Sequence, residues 1–245
     1  MSKTLRYKPK FDPLKALLLD MAKELSCESV LSLIVERLTR SSQVALCRVW
    51  LTRPVCEECA EQDPGQSECL HLVATAGKSV AENAPWSDVE NSAFKRFPVG
   101  HRKVGKIALT GEPLEVTDVS ADNSWMADPE WAEAEGIRGF GGQPLIFNGR
   151  VLGVLAVFTR MPLEEEWLTW LRMIADHAAA AISNSRAFEE IDQLREQLEL
   201  ENTYLREEIS EVQDFGSIVG QSLPLQQTMQ QIDLVAPTDA SVLIL

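Results

Sequence analysis

Asn148-Gly149 divides two apolar runs, PLIF at 144–147 and VLGVLAVF at 151–158. Asn-Gly between runs rich in β-branched and aromatic residues is the strongest short hairpin signal. The second run is apolar on both faces, which predicts a central strand covered on both sides. Gly153 inside it predicts a close backbone approach or a bulge. A long helix follows from Leu163. A buried hairpin that hands its last strand to an exit helix suits a domain that passes a signal outward.

The 245 residues hold one full domain plus something smaller, and 45% hydrophobic residues is ordinary for a globular chain. The net charge is −14. Residues 163–214 carry 14 acids against 4 arginines, so most of the excess belongs to one helical segment. Such a chain lacks the basic face that phosphate binding needs, and no direct DNA contact is expected. The start, MSKTLRYKPKF, is basic but leads into no apolar core of a signal peptide. No run approaches the ~18 apolar residues that a membrane span needs. Five cysteines, an odd number, without an export signal predict reduced thiols and a cytoplasmic location.

Along the chain, residues 1–13 form a polar arm that ends at Asp12-Pro13, a helix start. Leu14, Leu17, Leu18, Met21 and Leu25 share one helical face. Ser26 caps a second helix, with Val30, Leu31, Ile34, Val35 and Leu38 inward and its end near Arg40. VALCRVWL at 44–51 and CLHLVATA at 69–76 are strands, expected to pair antiparallel. Residues 54–67 between them are a polar loop, and 78–100 a loop with a short helix. Residues 104–109 form a short helix closed by Gly111, 113–116 a strand, and 121–135 a loop with a short helix. The glycine-rich stretch 136–142 leads into the hairpin. From Leu163 to about Gln213 little stops a helix. Leu168, Leu171, Ile174, Ala178, Ala181 and Ile182 face the domain. Ile191, Leu194, Leu198, Asn202, Leu205, Ile209 and Val212 make a narrow seam with a stutter near Leu198. A dimeric coiled coil is the favoured reading of that seam, with a lone amphipathic helix as the plain one. The helix ends at Phe215-Gly216. The chain closes on a short helix and the apolar SVLIL, which predicts an incomplete domain.

Two helices, VALCRVWL, GKIALTGEPLEVTDV, EGIRGFGGQPLIFNGRVLGVLAVF and the exit helix together resemble a GAF domain over residues 14–186. FGSIVGQSLPLQQTMQQIDLVAPTDASVLIL resembles the opening of the AAA+ domain of sigma-54-dependent transcriptional activators, with Ile218-Val219-Gly220-Gln221-Ser222 and Val235-Ala236-Pro237-Thr238-Asp239-Ala240 its most specific residues. The resemblance implies an α+β GAF fold, an antiparallel central sheet flanked by helices. A coiled-coil linker at 187–214 and a truncated α/β AAA+ start at 215–245 follow. No GxxxxGK[ST] phosphate loop occurs in the sequence. ATPase activity and contact with sigma-54 RNA polymerase therefore belong to the parent protein, and this chain is expected not to be an enzyme. Its expected partners are a small-molecule or redox signal, a second copy bound through the exit helix, and its own AAA+ domain. The function expected is relay of a ligand or redox state to that ATPase.

Cys56-x-x-Cys59, Cys69 and His71 are the sharpest chemical constellation. Period two puts Cys69 and His71 on one face, and the preceding loop can fold over it. Three thiolates and an imidazole suit tetrahedral zinc, and cysteine clusters suit iron–sulfur centres. Some GAF-containing sigma-54 activators carry a cysteine-rich insertion here, but this loop lacks the fourth cysteine expected of one. That leaves His71, Cys47 or no metal, and a reversible dithiol or two surface cysteines stand beside it. Trp86, Phe94, Phe97, Trp125 and Trp131 fall in the irregular segments that cover the ligand pocket of GAF domains, and His101 in a basic stretch beside them. Core packing is the plain reading of the aromatics, a solvated loop that of His101, and a core or interface position that of His177. The Asn-Lys-X-X-Phe-Asp-Glu signature of cyclic-nucleotide binding is absent. A GAF-fold methionine sulfoxide reductase is the third reading, behind ligand sensor and cysteine-based sensor.

Overall fold

The computed structural model describes residues 11–24, 26–89, 92, 94–119, 126, 128–213, 220–238 and 241–243; for 11–14 and 207–213 it defines the backbone alone. Two helices come first, α1 (Phe11–Met21) and α2 (Cys27–Thr39). Strand β1 (Val44–Pro54), helix α3 (Glu57–Gln62), strands β2 (Glu68–Gly77) and β3 (Arg96–Pro98) and helix α4 (Arg102–Thr110) follow. Strand β4 (Leu114–Val116), helix α5 (Pro129–Ala134), the hairpin β5 (Gly139–Phe147) and β6 (Arg150–Thr159), α6 (Glu165–Gln213) and α7 (Leu223–Val235) complete the chain.

The strands form one antiparallel sheet in the order β3-β2-β1-β6-β5-β4. The hairpin turns through left-handed Asn148 and Gly149, at φ 49° and 76°. That signature of a type I′ turn matches the strands' own twist. As its all-apolar sequence predicts, β6 is central and buried on both faces. A Cβ on Gly153 would lie 2.1 Å from the Trp50 carbonyl oxygen, so only glycine lets β6 lie this close to β1.

Alternation along β1 sends its side chains to two different places. Cys47, Val49 and Leu51 enter a core built with α1, α2 and the first turns of α6. Leu46, Arg48 and Trp50 point to the opposite face, where α4 and α5 stand. All five inward positions predicted for α2 are buried, and so are Leu168, Leu171, Ile174, Ala178 and Ile182 of α6.

Several expectations need correction. The loop at 54–67 contains α3, a helix of six residues too short to show an apolar stripe, with Cys59 its one buried side chain. Among the described residues 78–100 hold no helix but an edge strand, β3. The first helix starts at Phe11, ahead of Asp12. Leu163 is not helical; its amide bonds to the Thr117 carbonyl at 2.8 Å, and α6 starts at Glu165. His177 is exposed rather than in the core. It lies roughly a third of a turn away from the stripe formed by Leu171, Ile174, Ala175, Ala178 and Ile182.

Two compact units divide at Ile191 and Asp192. In the second, Leu194, Leu198 and Leu205 of α6 are exposed, and α7 buries no residue. The helix end at Phe215-Gly216 lies outside the described residues, as do Ile218 and Val219. Among the described residues no helix is long and apolar enough to cross a membrane.

Candidate functional site

The face of the sheet opposite α1 and α2 carries a cavity of about 470 Å³, within the range of small-molecule sites. Its floor is Leu46, Arg48 and Trp50 of β1, Phe140 of β5 and Phe158 of β6. Phe94, Phe97, Trp86 and Trp131 wall it, and α4 closes one side with Arg102, Lys103, Val104 and Lys106. Met126 and Asp128 complete the lining. The aromatic wall is continuous: Trp86 and Trp131 lie 5.7 Å apart, Trp131 and Phe158 5.6 Å, Phe158 and Phe140 5.0 Å. Trp50 donates its Nε1–H to the Phe94 carbonyl at 2.9 Å, which holds the 94–97 segment over the cavity.

Four cations and one acid line this cavity in a chain of charge −14. Arg48 is the most unusual. It sits in the middle of an apolar strand, and its Nε is buried without a hydrogen-bond partner among the described residues. Burial lowers its guanidinium to about 10. Its guanidinium carbon stands 5.6 Å from the Phe94 ring centre, and that of Arg102 stands 4.9 Å from the same ring. A buried guanidinium with an unused donor is costly unless an acceptor meets it. Arg102 is held at φ 58°, a left-handed conformation that costs a side chain such as arginine about 1–3 kcal/mol and clusters at functional sites.

Of the residues expected at the ligand site, Trp86, Phe94, Phe97 and Trp131 line the cavity, and Trp125 lies outside the described residues. His101 does not line it. It precedes α4 and reaches the other way, to Asp63 Oδ2 at 3.1 Å. That contact holds the Asp63 carboxyl below its usual range. Sequence reasoning missed Arg48, Arg102, Lys103 and Lys106. The signal for Arg48 was present: a lone charge within VALCRVWL.

Three of the five cysteines, Cys56, Cys59 and Cys69, gather where the connection from β1 meets the start of β2. Cys56 precedes α3, and Cys59 lies one turn into it. Cys69 Sγ lies 3.9 Å from Cys56 Sγ and 3.1 Å from His71 Nε2. Cys59 and Cys69 are fully buried, while Cys56 and His71 are half-exposed. Burial and the neighbouring thiols push Cys59 up to about 12, and burial raises Cys69. At Cys56 desolvation acts upward, but the polar groups of Cys59 and Cys69 and the Arg96 charge bring the thiol down. Burial, with Arg96 and Arg53, lowers His71. Cys47 is buried in the core with α1, α2 and α6 and is not among the donors gathered around Cys69.

An antiparallel sheet with helices on one face and a cavity under short segments on the other defines an α+β, cavity-bearing domain. The sequence matches the GAF domain family over residues 26–182, and the chain belongs to that family. It is similar to the formate hydrogenlyase transcriptional activator FhlA of Escherichia coli (strain K12), 37% identical over 108 residues, which cover 42% of this chain and 15% of that protein. It is also similar to the Nif-specific regulatory protein of Herbaspirillum seropedicae, 24% identical over 181 residues, 71% of this chain and 33% of that one. The chain thus spans at most a third of the length of these relatives. Among solved structures it resembles the GAF domain of a phosphoenolpyruvate-protein phosphotransferase from Coxiella burnetii. That match has a TM-score of 0.54 and 22% identity, and covers 73% of this chain and 95% of that one. Free methionine-R-sulfoxide reductase from Neisseria meningitidis gives 0.52 and 18%, covering 75% and 97%. Both likenesses speak to fold alone.

Proposed function

We propose that this chain is the signal-sensing part of a sigma-54-dependent transcriptional activator. Its cavity takes a small molecule with an anionic head and an apolar body. The observation that carries the ligand class is Arg48, a lone cation on the floor of an aromatic-walled cavity, whose Nε has no hydrogen-bond partner among the described residues. A carboxylate or similar anion supplies that acceptor, and charge-assisted hydrogen bonds to guanidinium are the strong kind. The aromatic walls hold the apolar body.

The regulatory reading rests on the transcriptional activators among the relatives. α6 is one unbroken helix from the domain core to Gln213. Ligand binding relays through it to a downstream AAA+ domain, of which residues 215–245 are the beginning. Exposed Ile191, Leu194, Leu198 and Leu205 seat a second copy in a coiled coil, with Asn202 fixing register. A ligand changes that assembly only through different affinities for its two packings. The protein acts in the cytoplasm, and the chain itself catalyses nothing.

Thermal melts with phenylacetate and its neutral isostere phenylacetamide test the ligand class. The acid is expected to raise the melting temperature in a concentration-dependent way, and the amide to do so far less. Equal shifts, or none from either, would overturn the anion reading.

A further inference from the structure

We infer that Cys56, Cys59, Cys69 and His71 hold one zinc ion, which pins the connection between β1 and β2 to the start of β2. Donor atoms of Cys56, Cys69 and His71 all lie within 4.8 Å of one another. Tetrahedral zinc with bonds of about 2.3 Å to sulfur and 2.05 Å to nitrogen puts its ligands about 3.6–3.8 Å apart. The 3.9 Å between Cys56 Sγ and Cys69 Sγ meets that directly, and His71 needs to move by about half an ångström from its 3.1 Å contact with Cys69. Cys59 supplies the fourth donor. It follows Cys56 by one helical turn, is buried, and its thiol is influenced by those of both Cys56 and Cys69.

The surroundings suit that set. Three thiolates and one imidazole around zinc carry a net charge of −1. Arg53 of β1 and Arg96 of β3, the two strands that flank β2, act on this cluster as cations. Two donors are buried and two are half-exposed, so the site is shielded yet open to an arriving ion. A zinc centre of this kind is structural, with all four positions filled by protein. α3 buries one side chain of its own, Cys59, and besides it an exposed ion pair between Glu58 and Arg96 of β3 fastens the helix. The cavity lies on a separate set of residues, and this inference is independent of the ligand proposed for it.

The test is metal analysis of the full chain purified under reducing conditions without chelator. One zinc per chain is expected. After chelator treatment, cobalt(II) should give the strong visible bands of tetrahedral thiolate coordination. Cys56→Ser and His71→Gln alter half-exposed residues and should leave the far-ultraviolet circular dichroism unchanged, while weakening zinc binding by at least about tenfold. Cys27→Ser should change nothing. Zinc-free protein with only octahedral cobalt spectra would overturn the inference. So would a brown iron–sulfur chromophore, a Cys56–Cys69 disulfide in the purified protein, or His71→Gln with undiminished affinity.

Discussion

His101 Nε2 stands 3.1 Å from Asp63 Oδ2, and through this pair the cysteine-bearing connection reaches the head of α4. The next residue, Arg102, lies over Phe94 in the cavity wall. Both partners are solvent-accessible, so the pair adds little to global stability. Its effect should be local: Asp63→Asn should loosen the head of α4 and weaken binding of an aromatic anion to the cavity, with the melting temperature unchanged. Fluorescence titration and thermal melts on one preparation check both halves.

Arg48→Met removes a buried cation with an unused donor while keeping the length of the side chain. Without ligand the variant should be as stable as the native protein or up to about 2 kcal/mol more stable, because among the described residues Arg48 Nε has no hydrogen-bond partner to leave unpaired. Chemical denaturation measures this. A loss of more than 2 kcal/mol would show that Arg48 serves the fold rather than a ligand.

Gly153→Ala places a methyl group against the Trp50 carbonyl between two central strands. Neither backbone can yield, so a loss of about 3 kcal/mol or more, or failure to fold, is expected. Urea denaturation or soluble yield reports it.

Glu135 is buried beneath the 78–82 segment. It accepts hydrogen bonds from Ser79 Oγ, from the Val80 amide at 2.7 Å and from Arg160 Nη2 at 3.4 Å. Burial acts to raise its carboxyl, but these donors prevail and the net shift is downward from 4.5. A depressed carboxylate stabilises the fold above its unfolded pKa, and that contribution is lost as pH falls through the folded value. Glu135→Gln should cost about 1–3 kcal/mol at pH 7, and the difference from the native protein should shrink as the solution is acidified below about pH 4. Denaturation at a series of pH values follows it.

Leu198→Glu places a charge in the exposed apolar seam of α6. Light scattering should show a dimer for the native chain and a monomer for the variant at micromolar concentration, with the sensor domain still folded.

How far the sequence revealed this fold depended on periodicity. The Asn148-Gly149 hairpin, the buried stripe of α2 and the Gly111 end of α4 each carry a strong local signal, and each stands as read. α3 and β3 carry none, being too short to show a period and set by tertiary contacts alone. In the site, the aromatics Trp86, Phe94, Phe97 and Trp131 were legible because apolar residues in irregular segments need somewhere to go. The α4 cations were not, since a basic stretch reads as solvated surface until the sheet beneath it is known. Arg48 was legible in principle, as a charge with no escape from a central strand. His101 does not line the cavity and His177 is not in the core, because spacing alone does not say on which side of a helix or loop the protein lies.

The central claim is that Arg48 makes this cavity a receptor for anions with an apolar body. Its most direct test is fluorescence titration of 8-anilinonaphthalene-1-sulfonate into the native chain and into Arg48→Met. Saturable binding at one site per chain, weakened about tenfold or more by Arg48→Met and competed by phenylacetate but not phenylacetamide, is the predicted result. Equal affinity in the two proteins, or equal competition by acid and amide, would contradict it.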